Sequence, residues 1–240
     1  MRLSPRLRIG LEAVAVVISI LLAFGIDAWW GSLGERREEQ QILRGLQEEF
    51  KQHRSYTARR LELNEGTRRG IETLQGLSGD NVRDSTGGVE VVEAIRSLSI
   101  SPASTQLRGA VLDGLIGSGR LELIRDRRLR DELGRWSLLA VGAEGQDESV
   151  NRFVMEQLFP YIASLGVPLS EALSPGPDGI YFGNISIGAP GEYDALLNDR
   201  QFFNLMSIRR LWLTGTHVRY TSAGEVADGV LALIAENLEP

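Results

Sequence analysis

The chain has no cysteine and almost no lysine: of 26 basic residues among 240, Lys51 is the only lysine and every other one is arginine. The first absence excludes disulfides, thiol catalysis and any zinc site built on sulfur. The second removes Schiff-base and Ser-Lys chemistry from nearly every position. Histidine is scarce too, at His53 and His217 alone. A formal net charge of −6 argues against a nucleic-acid footprint. Hydrophobic content of 42% is too high for a disordered chain. The length suits one large domain or two small ones.

The hydrophobic residues are unevenly placed. Residues 9–30 form a mostly apolar run ending at Trp29-Trp30. As a helix, its 22 residues would extend about 33 Å, enough for the hydrocarbon core of a bilayer. Arg6 and Arg8 precede the run and the paired indoles follow it, each suited to an interface. A cleaved signal peptide is the competing reading, but Glu12 interrupts the apolar region and the tryptophans lack a small-residue cleavage context. The expectation is a short cytoplasmic tail over 1–8, an uncleaved transmembrane helix over 9–30, and a periplasmic domain over 31–240. This is a single-pass inner-membrane topology, with the bilayer as the first partner. Arg36, Arg37 and Arg44 soon after the run keep the charge bias that orients it small.

Within the run, Glu12, Ala15, Ser19, Ala23 and Asp27 recur every three or four residues and share one helical stripe. Small residues at this spacing let helices approach closely, and acidic groups at this depth turn away from lipid. The stripe is therefore a candidate packing face for a second copy or another envelope protein. The alternative is a solitary anchor in which Glu12 pairs with Arg8 and Asp27 reaches headgroup water.

Two stretches resemble a family of bacterial single-pass membrane proteins of unknown function. The family's anchor reads G-E-I-I-L-V-V-I-G-I-L-I-A-L-Q-I-N-N-W. Here Glu12, Val16, Val17, Ile20, Leu21, Ala23, Ile26 and Trp29 fall in its register, with Asp27-Ala28 in place of Asn-Asn. The second stretch is Ser118-Gly119-x-Leu121-x-Leu123-Ile124-x-Asp126-x-x-Leu129. The resemblance implies a retained anchor and a helical domain, and it transfers no catalytic residue.

Beyond the apolar run the pattern is helical. Leu43, Leu46, Phe50, His53, Thr57, Leu61, Ile71 and Leu74 recur near every 3.5 residues, so a long amphipathic helix over 35–77 should continue the anchor outward. Residues 78–88 read as a loop. Short helices are expected over 89–98 and 105–116, stopped by Gly117-Ser118-Gly119. Asp126 is placed to cap the next helix, Asp147 to cap another, and Pro160 to bend that one. A small β-hairpin around Gly183-Asn184 is expected within 180–187. A last long helix follows Asp199, through Phe202, Leu205, Trp212, Thr216, Ala223, Val226, Val230 and Leu233. The fold class is all-α: an irregular helical bundle whose first and last helices pack antiparallel.

Chemistry is thinly signalled. His53 and His217 lie on the two long helices, where they either meet in a shared site or are ordinary packed or exposed side chains. Gly117-Ser118-Gly119-Arg120 lacks the Lys-Ser/Thr of a phosphate loop and reads as a turn. Arg125, Arg127, Arg128 and Arg130 form a basic cluster offset by Glu122, Asp126, Asp131 and Glu132, the pattern of a salt-bridged surface. Asp80, Asn81 and Asp84 do not match a calcium loop, and Asn184-Ile185-Ser186 is a sequon only where glycosylation operates. No Gly-x-Ser-x-Gly elbow is present. No catalytic, cofactor or metal residue is nominated. The expected function is a non-enzymatic interaction or scaffold module. The alternatives are a ligand sensor signalling through a partner, since the tail is too short to carry an output domain, and an envelope hydrolase using paired carboxylates.

Overall fold

The computed structural model describes residues 5–77, 85–98, 107–167, 173–176, 179–182 and 193–238. Apart from one two-stranded ribbon, these residues build helices and the turns between them. Helix α1 runs unbroken over Pro5–Gly76, 72 residues and therefore roughly 110 Å. Helices α2 (Ser85–Ser97), α3 (Ala110–Gly117), α4 (Arg127–Phe153), α5 (Phe159–Ser164), α6 (Asp194–Leu197) and α7 (Arg200–Asn237) follow. The expected all-α bundle is correct in class, and α1 is continuous from the apolar run into the bundle. Among the described residues no helix is long and apolar enough to cross a membrane. Most side chains of residues 5–28 lie outside the described set.

Helices α1 and α7 pack antiparallel, as their cross-links show. Gln40 donates to the Asn237 carbonyl at 3.0 Å, Arg54 pairs with Asp228 at 2.7 Å, and Asn64 donates to the Leu213 carbonyl at 3.0 Å. Helix α4 lies against α7, also antiparallel, with Arg128 on Glu236 and Gln146 on Thr216. Leu43, Leu46, Phe50, His53, Thr57, Ile71 and Leu74 of the expected stripe are all buried. The core divides in two. One cluster, nearer the apolar run, gathers Leu43, Phe50, Trp136, Tyr220 and Val230. The other, farther along α1, gathers Leu74, Ile95, Val150, Ile162 and Phe202.

Local chemistry explains the element ends. Asp126 caps α4 by accepting the Arg128 and Leu129 amides, and Asp199 caps α7 by accepting that of Phe202 at 2.6 Å. After α3, Gly119 adopts φ +68°, the left-handed region open to glycine, and turns the chain into a 3-10 turn over Arg120–Leu123. A π-helical turn over Val154–Leu158 precedes Pro160, with the Phe159 amide reaching back five residues to Val154. Proline removes the next amide, so the regular α-helical bonding changes at the residue where the sequence predicts a bend.

Four boundaries differ from expectation, the first being the start of α3 at Ala110 rather than at residue 105. Asp147 caps nothing: it is buried inside α4, on the stripe of Trp136, Ala140, Ala143 and Val150, because tertiary partners satisfy its carboxylate. The hairpin pairs β1 (Leu173–Gly176) with β2 (Gly179–Phe182), closer to the N-terminus than residues 180–187, and 183–187 lie outside the described residues. Helix α2 begins at Ser85, through two glycines that suggested a loop.

Candidate functional site

A buried polar layer separates the two hydrophobic clusters. Arg60 of α1 donates to Asp147 Oδ1 at 2.9 Å, and the Tyr220 hydroxyl of α7 donates to Asp147 Oδ2 at 2.7 Å. The Arg60 guanidinium lies 4.9 Å from the centre of the Tyr220 ring, and Tyr56 packs edge-on against Tyr220. Arg209 of α7 is buried beside them, and its Nε has no hydrogen-bond partner among the described residues. One carboxylate thus serves two buried guanidinium groups. Burial pushes the Asp147 carboxyl up, with Arg60 pulling it back. Burial is the largest influence on Arg60 and opposes its charge, but Asp147 together with Tyr220 and Tyr56 outweighs it and the net shift is upward. Arg209 is pushed down to about 10, first by burial and then by repulsion from Arg60, with Asp147 only partly compensating.

The two histidines do not share this layer or each other's surroundings. His53 is buried, stacked on Trp136 at 4.8 Å and edge-on to Phe50, with its Nε2 4.0 Å from Glu49 Oε1. His217 is exposed on α7 and lines a surface groove of about 360 Å³ with Asn64, Glu65 and Arg210. Asn64 is 11 residues beyond His53 on α1, about 16 Å along the axis. Each histidine therefore sits in a separate environment.

His53 and Glu49 lie at the edge of a groove of about 510 Å³ between α1 and α3, lined also by Gln52, Tyr56, Arg108 and Val111. Glu49 has a structural task there, accepting the Val111 and Leu112 amides at 2.8 and 3.2 Å in place of the cap that Gly109 cannot supply. A Cβ on Gly109 would overlap the Glu49 carboxyl group, so the glycine admits the carboxylate. Burial raises the Glu49 carboxyl despite both amides.

The arginine cluster after α3 is salt-bridged, locally as expected through Arg127–Asp131 and Arg128–Asp126, and also to partners distant in sequence. Arg125 meets Glu35 and Glu39 of α1, Arg120 meets Glu38, and Arg128 bridges Asp126 and Glu236. Glu39 is buried and also accepts the Arg125 amide at 2.7 Å. These contacts clasp α1 just beyond the tryptophans. Trp29 and Trp30 are exposed and pack edge-on at 5.8 Å. The side chains of Arg6, Arg8, Glu12, Ala15, Ser19, Ala23 and Asp27 lie outside the described residues, as do Asp80, Asn81, Asp84 and Asn184–Ser186.

Sequence reading missed the Arg60–Asp147–Tyr220–Arg209 layer. Its signal was present: each of these charged residues occupies a position that helical periodicity assigns to the core. No family model, curated protein or solved structure matches the chain. The family resemblance therefore rests on residues 12–29 and 118–129 alone.

Proposed function

We propose that the chain is a membrane-tethered helical module of the bacterial envelope, with its N-terminus in the cytoplasm and its bundle in the periplasm. Its work is recognition of another envelope protein or of itself, not catalysis. The observation that carries this reading is the unbroken α1, whose apolar run and exposed tryptophans join the bundle without a linker. From Trp30 to Glu39, the first buried residue on the described part of α1, is nine residues, about 14 Å of helix. The Arg120, Arg125 and Glu39 contacts hold that stretch to the α3–α4 turn. A bundle attached this way stands close to the bilayer at a set angle and presents its outer helix faces to neighbours in the membrane plane. The test is affinity capture of the tagged full chain from native membranes after crosslinking. A specific adduct in the membrane fraction is expected; recovery of free monomer alone would remove the basis for a recognition role.

A ligand-sensing version is favoured by one feature, the groove between α1 and α3, whose volume falls in the range of small-molecule sites. Thermal-shift screening of envelope metabolites against the full chain, with Gln52→Trp filling the groove, tests it. Shifts that survive the filled groove would count against a sensor there.

A further inference from the structure

Helices α4 and α7 fix each other's height. A Cβ on Gly142 would meet the Arg219 guanidinium at 2.8 Å, Gly215 stands equally close to Gln146, and Gln146 bonds Thr216. On the outer side of this pair, Leu138 and Leu211 are 78% and 74% exposed, and Val141, Ile208 and Val218 are exposed with them. Helical spacing turns 138, 141 and 145 to one side of α4, and 208, 211, 215 and 218 to one side of α7. Arg219 and Gln146, hydrogen-bonded to each other, cover Gly142 and Gly215 at the seam between the two apolar rows. Single exposed leucines are ordinary, whereas five large apolar side chains on one helix pair mark a contact surface.

We propose that this face docks a second copy of the same chain about a two-fold axis parallel to the helices. The inference rests on the tethered reading above, because two chains anchored in one bilayer meet side by side, at equal height and pointing the same way. That symmetry sets α4 of each copy against α7 of the other. The charges at the border complement each other in this arrangement. Glu148 is exposed on the outer flank of α4 and Arg210 on that of α7, while Glu144 is already paired with Arg108 of its own chain. The Gly142–Arg219 and Gln146–Gly215 contacts bring 148 within a turn of 210. One face thus carries both halves of the pairing, as a self-complementary interface requires.

The absence of native cysteine makes the test direct. Two differently tagged full-length chains are co-expressed, one carrying Val141→Cys and the other Val218→Cys, and the membranes are oxidised. A disulfide-linked dimer containing one of each tag is expected. The linked fraction should fall at least tenfold when Leu138→Glu and Leu211→Glu are added, with helical content unchanged because both side chains are exposed. As a second variant, Glu148→Arg lowers the linked fraction, and adding Arg210→Glu restores it. Monomer alone, equal linkage from Lys51→Cys on α1, or linkage of the Val141→Cys chain to a different protein overturns the proposal. If the chain leaves the membrane on washing, the tethered reading fails, and the same oxidation of the released chain decides the dimer separately.

Discussion

Replacing Arg209 with methionine should stabilise the protein. The guanidinium is buried, and its pKa is depressed to about 10. The folded state therefore binds this proton more weakly than the unfolded state. Stability is lower wherever Arg209 is charged in both states, and it rises as pH climbs above about 10 toward the ordinary guanidinium range. At neutral pH the full penalty applies, about 3 kcal/mol at 1.36 kcal/mol per pH unit. Methionine fills the volume of the stem, brings no charge, and relieves the repulsion on Arg60, which keeps Asp147 as its partner. For a chain of this size, 3 kcal/mol corresponds to a rise in melting temperature of roughly 6–12 °C. The assay is circular dichroism at 222 nm on the full chain in mild detergent, wild type beside Arg209→Met. The variant should also lose the rise in stability above pH 10. A melting temperature several degrees below wild type would refute the reasoning, since it would mean that the Arg209 charge has a native partner worth more than its burial costs.

Asp147→Asn should act in the opposite direction, leaving Arg60 and Arg209 uncompensated and costing about 3–5 kcal/mol, read by urea denaturation. Glu49→Ala should cost about 1–2 kcal/mol by stripping the α3 amides of their acceptor, and Glu49→Gln clearly less, because its amide oxygen still accepts. Since burial raises the Glu49 carboxyl, the folded state holds its proton to higher pH than the unfolded state. Its contribution is full below the unfolded value and lost as pH rises through the folded one, so a melt series from pH 4 upward should show a decline that Glu49→Gln lacks. Gly70→Ala should cost roughly 1–3 kcal/mol, because the new Cβ would overlap Ser97 Oγ and lie 2.9 Å from the Ala94 carbonyl where α2 crosses α1; a melting temperature equal to wild type would contradict that contact.

Long periodic segments were legible in the sequence because one physical pattern, burial every three to four residues, governs them. The stripes of α1 and α7 follow the apolar spacing, and both asparagines and acids that cross-link them sit at its borders. The cap at Asp126 was legible because its side chain bonds its own helix, whereas at Asp199 only the helix start was read and the capping bond was not. Asp147 was misread because cap chemistry and burial favour the same residue type for different reasons. Only the arrival of Arg60 from 87 residues away and Tyr220 from 73 decides between them. The same holds for Glu49 and Glu39, whose partners are backbone amides 62 and 86 residues distant. The hairpin was displaced because Gly183-Asn184 looks like a two-residue turn in isolation, while β1 pairs Gly176 with Gly179 and turns earlier.

The most direct test of a membrane-tethered bundle is the fate of the full chain when native membranes are washed at alkaline pH, with a compartment-sensitive reporter fused after Pro240. An anchored chain stays in the pellet, the reporter signals the periplasmic side, and replacing Ile18, Leu21 and Leu22 with arginine moves the chain to the supernatant. Release of the wild-type chain into the wash, or activity of a cytoplasm-only reporter at its C-terminus, would contradict the tethered topology.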